Sequence, residues 1–334
     1  MKKFMFALFA LLVLCSHDMY LKLDSFFLEP NAEASIQLFN GTFAESDNTI
    51  DRNRMIDVSV IANGERLQMD STQWREDGDV TVLDFTTGEP GTYVAGVSTR
   101  ARSLAMEAEA FNSYLEHDGV VDELEKRRAN STLDTDAVEK YSKHVKTIVQ
   151  VGDTKSDDWQ TPLGYPIEFV PMSNPYDLHA GDPFRVKLLW QGQPLANQLV
   201  IVDAEMGDPG HEHGESADHS HEAGADHDHG EEAEGHTHEG MSQVRTDDAG
   251  MLDFEVSHDG SWFLRTIYMV NSEEEGLTHE SNWATLTFAV EHGHSHADGA
   301  DHTHEHEGGI PSYAWWLGSL VLVGGLFVYF KRTA

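Results

Sequence analysis

Two parts of this chain contain almost nothing from which a hydrophobic core could be built, and they confine folding to what remains. One is GHEHGESADHSHEAGADHDHGEEAEGHTHEG, within residues 205–241; the other is HGHSHADGADHTHEHEGG, residues 292–309. Together they hold fourteen of the 20 histidines, and between 205 and 240 there are twelve Asp and Glu but no Lys or Arg. Segments this polar cannot bury enough apolar surface to offset the entropy of ordering, so both are expected to be disordered without a ligand. The acidity extends to the whole chain, with 22 Lys and Arg against 58 Asp and Glu and a net charge of −36. That balance excludes general nucleic-acid binding, which requires basic surface to neutralise phosphate. The single cysteine, Cys15, excludes a disulfide framework and a cysteine-based zinc site in the folded part.

Both ends of the chain are apolar. MKKFMFALFALLVLCS has the order of a secretory signal: Lys2 and Lys3, a greasy run from Phe4 to Leu14, then small residues. Cleavage after Ser16 makes His17 the first residue of the mature protein, with lipidation of Cys15 the alternative. Near the other end, IPSYAWWLGSLVLVGGLFVYF (310–330) is uncharged and of the ~20-residue length that spans a bilayer. Aromatic residues flank it, and Lys331 and Arg332 follow, placing residues 331–334 in the cytoplasm by the positive-inside bias. The expectation is a single-pass protein of the cell membrane whose N-terminal ectodomain lies in the periplasm or outside the cell.

Between these ends the pattern is mainly β. SIQLFNGTF (35–43), MIDVSVIANGERLQM (55–69) and VTVLDF (80–85) alternate partially and are separated by turn signals such as Asn63-Gly64. Residues 101–146 are rich in helix formers with apolar positions at three- and four-residue steps, which predicts a helical insertion, with His117 and His144 on its surface. Five further strands follow after residue 163. Among them Thr246-Asp247 and Gly250 form a turn like those of small immunoglobulin-like sandwiches. The fold expected is two antiparallel β-sandwich (immunoglobulin-like) domains, 17–162 and 163–291. The first carries the helical insertion, the second carries the histidine-rich insertion at 205–241, and a transmembrane helix follows at the C-terminus.

The histidines are paired as His-x-His: His211/His213, His219/His221, His227/His229 and His236/His238 in the first tract. The second adds His292, His294, His296, His302, His304 and His306. Neutral imidazole is a ligand for nickel, cobalt, zinc and copper, and interleaved carboxylates raise the local cation concentration. Pairs on an extended chain provide several exchangeable sites of modest affinity, because each binding event must order the chain. His17 is a separate candidate, since its imidazole and a free α-amine can grip one ion together. His179, His258 and His279 fall near strand ends or loops and read as structural.

HDMYLKLDSFFLEPNAEASIQLFNGTFAESDN, the helical AEAFNSYLEHDGVVDELEKRRAN, VEKYSKHVKTIVQVG and LGYPIEFVPMSNPYDLHAGDPFRVKLLWQGQPLANQLV occur in this order along 17–291. The series resembles a secreted bacterial domain-of-unknown-function family often described as nickel uptake transporter proteins. The resemblance implies an extracytoplasmic, β-rich, non-enzymatic component linked to nickel or cobalt uptake. It also implies a mature chain that begins with histidine, here His17. The long histidine insertion, the histidine tail and the membrane helix are departures from a minimal member.

These readings converge on a membrane-anchored protein that captures nickel, cobalt or zinc, with copper also open, for a membrane metal transporter. A surface adhesion or carbohydrate-binding module is the alternative from another class. An oxidase using an N-terminal histidine copper brace is a third, for which no second histidine is singled out by spacing. No Gly-rich phosphate loop, HExxH motif or serine-triad signature is present.

Overall fold

The strand Ala137–Val151 shows how the chain is built, because every residue from Lys143 to Val151 is buried. Successive side chains on a strand point to opposite faces, so this strand is covered on both sides. Val145, Val149 and Val151 pack with Met19, Leu21, Ile36 and Leu83. Ile148 points the other way, into a core with Phe169, Phe184, Val186 and Leu252. The neighbouring strand Gly91–Thr99 divides identically, with Tyr93, Ala95 and Val97 in the first core and Val94 in the second. Three layers of sheet follow from this alternation. The computed structural model describes residues 17–206 and 241–291.

The middle layer is a ten-stranded sheet. Its main order is Ser242–Arg245, Leu199–Met206, Gly260–Asn271, His279–Val290, Ala137–Val151, Gly91–Thr99, Met55–Ala62 and Glu65–Gln68. The short strands Phe27–Leu28 and Arg102–Met106 also pair with Ala137–Val151. One outer layer is the sheet Asp18–Lys22, Glu33–Gly41, Val80–Thr86, Trp74–Asp77. The other comprises Ile167–Pro171, Pro183–Trp190, Gln193–Pro194 and Met251–Glu255. Helices α1 (Ala108–His117) and α2 (Val121–Ala129) pack Phe111, Leu115 and Leu124 against Ile267, Met269 and Trp283 of the middle sheet.

The chain is mainly β, as its pattern indicates, but the two halves are not separate antiparallel sandwiches. Residues 139–147 pair in parallel with 279–287, so one sheet runs through both halves and serves both cores. Local hydrophobic period does not reveal this, since a strand apolar on both faces belongs to neither half. The helical insertion expected over 101–146 is also shorter: helix occupies 108–117 and 121–129, and 137–151 is strand. Lys143, His144 and Lys146 disguise it, because all three are buried although their residue types suggest a solvated helix face. The Asn63-Gly64 turn is where it was expected, with φ of 51° and 81°, the left-handed pair that a two-residue hairpin demands. Gly250 is equally constrained: at φ 70° a Cβ would lie 2.8 Å from the Leu195 nitrogen and 2.9 Å from the Leu188 oxygen. The signal segment 1–16, residues 207–240 of the histidine insertion, the linker 292–309, the apolar segment 310–330 and the tail 331–334 lie outside the described residues.

Buried charge holds the middle layer to its neighbour. Lys146 Nζ lies 2.9 Å from Glu168 Oε2 and donates to the Phe169 carbonyl, while Glu168 accepts from the Leu163 and Gly164 amides. Removing one member leaves the other charged and dry. Glu168→Ala is therefore expected to destabilise the protein by roughly 3–5 kcal/mol, and a loss under about 1 kcal/mol in denaturant unfolding would contradict this account.

His144 lies in the same layer. Ser98 Oγ is 2.9 Å from its Nδ1, and Asn282 Oδ1 is 3.2 Å from its Nε2. The amide oxygen can only accept, so Nε2 carries a proton, and burial keeps the ring neutral. Burial pushes its pKa down to about 4. The unfolded chain, titrating near ~6.5, then binds the proton more tightly than the native state. His144 thus contributes stability that is complete above pH ~6.5 and is lost progressively as pH falls towards 4, a change of about 3 kcal/mol. A stability–pH profile of His144→Gln should be flatter than wild type across that window.

Candidate functional site around His17

His17 immediately precedes the strand Asp18–Lys22, whose first residue pairs with Gly41. The segment after Gly41 turns back sharply. Thr42 N–H donates to the Glu45 carbonyl, Asp47 N–H donates to the Asn40 carbonyl, and Ser46 Oγ accepts from Asn40 N–H and donates to the Asp79 carbonyl. This turn sets Asp47 Oδ2 at 2.8 Å from His17 Nδ1, with the imidazole 31% exposed. Gly41 makes room for it: a Cβ there would meet the Glu45 oxygen at 2.5 Å and Asp47 Oδ2 at 2.6 Å. The His17 carbonyl accepts from the buried Lys143 ammonium.

Beneath His17 is a cavity of about 320 Å³, lined among others by Arg54, Arg102, Tyr114, Glu139, Tyr141, Lys143 and Trp283. Its floor belongs to a buried polar network. Asp18 Oδ2 accepts from Tyr20 and pairs with Arg265 at 3.1 Å, and Arg265 donates to the Asp118 carbonyl. Burial, reinforced by Asp18, pushes the Asp118 carboxyl up to about 7. Burial likewise raises Glu139, although Tyr114 and Ser281 both donate to it. The Lys143 ammonium sits 5.0 Å from the Trp283 ring centroid, and burial pushes its pKa down to about 8 against the pull of Asp18.

The other histidines are dispersed. His179 is exposed beside Asp182 at 3.5 Å, and His117 is exposed at the end of α1. His258 Nδ1–H donates to the Asp259 carbonyl at 2.8 Å, and the ring packs against Trp262. His279 is buried, 3.4 Å from Glu123. His144, expected on a helix surface, is a buried strand residue instead. Among the described residues no group of three or more His, Cys, Asp and Glu comes together as a metal centre.

Of the tract histidines, His211, His213, His219, His221, His227, His229, His236, His238, His292, His294, His296, His302, His304 and His306 lie outside the described residues. The points where both tracts leave the fold are nevertheless defined. The first departs after Leu199–Met206 and returns into Ser242–Arg245, its antiparallel partner. Met206 pairs with Gly260, and Gly260 with Val290, just before the second tract. Both roots therefore lie at one end of the middle sheet, two strand spacings or about 10 Å apart. His17 is not beside them. Thr285 and Thr287 donate to the Met19 and Leu21 carbonyls, so Asp18–Lys22 runs along the strand 279–290 towards the roots, where Lys22 meets Glu205 at 2.8 Å. His17 is at the far end of that strand, roughly 16 Å from Lys22 at ~3.3 Å per residue.

The sequence pattern pointed to His17 but gave no sign of Asp47, which lies in an ordinary polar loop, or of Arg54 and Lys143. The one available signal was the two-residue alternation of 137–151, hidden beneath helix-forming residue types.

The fold is thus a three-layered β protein with a polar cavity at the start of its first strand. The chain belongs to the family described as Domain of unknown function (DUF4198), whose model matches residues 14–270. None of the curated proteins matches it. Among solved structures it is similar to trypsin-activated alpha-2-macroglobulin from Escherichia coli, at 11% identity and a TM-score of 0.22. That match covers 82% of this chain and only 15% of the macroglobulin. It is also similar to the D0-D1 domain of Intimin, at 9% identity and a TM-score of 0.19, covering 82% of this chain and 98% of that one. The fibronectin(III)-like modules of Clostridium thermocellum CbhA match at 7% identity and a TM-score of 0.17, covering 82% and 96%.

The role of Gly41 can be checked directly. Gly41→Val should push Asp47 off His17 and destabilise the protein by about 1–3 kcal/mol through overpacking. A crystal structure of this variant that keeps the His17–Asp47 contact would refute the assignment.

Proposed function

We propose that this chain is a membrane-anchored extracytoplasmic binding protein that captures nickel, cobalt or zinc and supplies or buffers it for a metal uptake transporter. The observation that carries this reading is the repeated His-x-His pairing within acidic tracts whose roots lie about 10 Å apart at one sheet end. Paired imidazoles are unnecessary for a spacer but suit exchangeable metal capture. His258, two residues before Gly260, is the described histidine nearest both roots in register.

His17 supplies a second mode of binding. Its Nδ1 and Asp47 Oδ2 are 2.8 Å apart, close to the ~3 Å between adjacent ligands that each lie about 2.1 Å from one metal ion. Cleavage after Ser16 would add the α-amine as a third donor. A mixed nitrogen and oxygen set of this kind suits nickel, cobalt or zinc. The preference for nickel rests on the family resemblance of the sequence.

The test is metal titration of the full mature chain with a native His17 N-terminus, using nickel, cobalt, zinc and copper. Beside it stand a variant lacking 207–240 and 292–306 and the single variants His17→Ala and Asp47→Ala. The wild type should take up several ions, the shortened chain one, and the single variants of the shortened chain none. Loading should fall as pH drops through ~6.5, because protonated imidazole cannot ligate. Uptake of less than one ion at neutral pH would overturn the proposal, and nickel or zinc loading unchanged at pH 5 would remove histidine as the ligand.

A further inference from the structure

We propose that the cavity beneath His17 is a binding site for a small organic carboxylate, held side-on by Arg54 with Arg102 at its mouth. Arg54 is nine-tenths buried and lines the cavity, yet its Nε and Nη2 have no hydrogen-bond partner among the described residues. A buried guanidinium left in this condition is costly unless something else satisfies it. Nε and Nη2 form one edge of the guanidinium plane, the fork that matches the two oxygens of a carboxylate. Two oxygens of a phosphate can meet the same edge, so inorganic phosphate is the competitor that decides between the two anions.

The surroundings point to the same class of ligand. Arg102 lines the cavity and pairs with no carboxylate among the described residues. Burial lowers the Arg54 pKa, and the adjacent Arg102 charge lowers it further, although Tyr141 and Asp51 act in the opposite sense. The two acids on the lining are already engaged. Asp51 accepts from the Asn53 amide at 2.8 Å, and Glu139 accepts from Tyr114 and Ser281. Arg54 and Arg102 thus face a space that they share with Asp51 and Glu139, yet neither guanidinium forms an ion pair with a carboxylate among the described residues. Part of the remaining wall is apolar and aromatic, with Leu104, Met106, Tyr141 and Trp283, and accommodates a carbon skeleton, while Asn40, Asn48 and Thr49 add neutral polar groups. A volume of about 320 Å³ lies within the usual range for small-molecule sites.

A carboxylate could reach this site free or as part of a metal chelate, and the experiment separates the two. Radiolabelled citrate is equilibrated by dialysis with the full mature chain, stripped of metal on a chelating resin, with and without added nickel; unlabelled inorganic phosphate is the competitor. Citrate should be retained, with affinity lowered at least about tenfold by Arg54→Met and severalfold by Arg102→Met. Arg54→Lys, which keeps the charge but loses the fork, should fail to restore it. Arg102 is exposed, so its variant tests the site even where Arg54→Met does not fold. Retention without nickel identifies a free carboxylate as the ligand. Retention that needs nickel, and that is lost in His17→Ala as well as in the arginine variants, identifies a chelate. Citrate binding that is absent in both arms, indifferent to both arginines, or displaced by phosphate at equal concentration overturns the proposal. Nickel retained by the chain without citrate is a separate reading, so the metal proposal and this one fail independently.

Discussion

The parallel pairing of residues 139–147 with 279–287 is the constraint on which the rest depends. It joins strands from distant parts of the chain into one sheet and leaves both faces of that sheet to be covered. The strands at 18–22, 33–41, 74–77 and 80–86 cover one face and those at 167–171, 183–190, 193–194 and 251–255 the other, so neither outer layer has a core without the middle strands. Parallel strands require long crossovers, and this one encloses 148–278, every strand of the second outer layer among them. The two halves of the sequence are consequently one folding unit.

A sheet covered on both faces should be uniformly apolar, yet this one carries Lys143, His144, Lys146, Thr285, Thr287 and Arg265 in its interior. Each is compensated differently. Lys146 has Glu168, His144 has neutral hydrogen-bond partners, and the two threonines hold the backbone of the first strand. Arg265 has Asp18 and the Asp118 carbonyl. These groups fix register, since shifting any strand by one residue would bury a charge against an apolar layer. Lys143 and Arg265 face the first strand near His17, whereas Lys146 faces the other outer layer.

Much of the secondary structure was legible in the sequence, and the layering was not. The strands at 55–62, 80–86, 183–190 and 260–271 follow from alternation and turn residues, and the Asn63-Gly64 hairpin from its conformational demand. The strand at 137–151 was obscured because its charged residues are satisfied by partners far away in sequence, such as Glu168 and Asn282. The site divided in the same manner. His17 is singled out in the sequence because a histidine made terminal by the expected cleavage after Ser16 would have its own chelating chemistry. Asp47 and Arg54 become significant only once Gly41 and the turn after it bring them beside the first strand.

The strand Asp18–Lys22 separates two opposed electrostatic environments. At its Lys22 end are the roots of tracts rich in histidine and carboxylate, which attract free cations. At its His17 end the cavity presents Arg54 and Arg102, which repel them. A free divalent cation would therefore be drawn to the tracts, or to the His17–Asp47 pair at the cavity edge, rather than to the arginines within. A cation carried by carboxylate ligands reverses that preference, since its complex can be neutral or anionic and offers oxygens to the arginines. On the proposals made above, then, the two ends of one strand are suited to different forms of the same cargo, with His17 and Asp47 at the boundary where a metal could pass from one set of donors to the other.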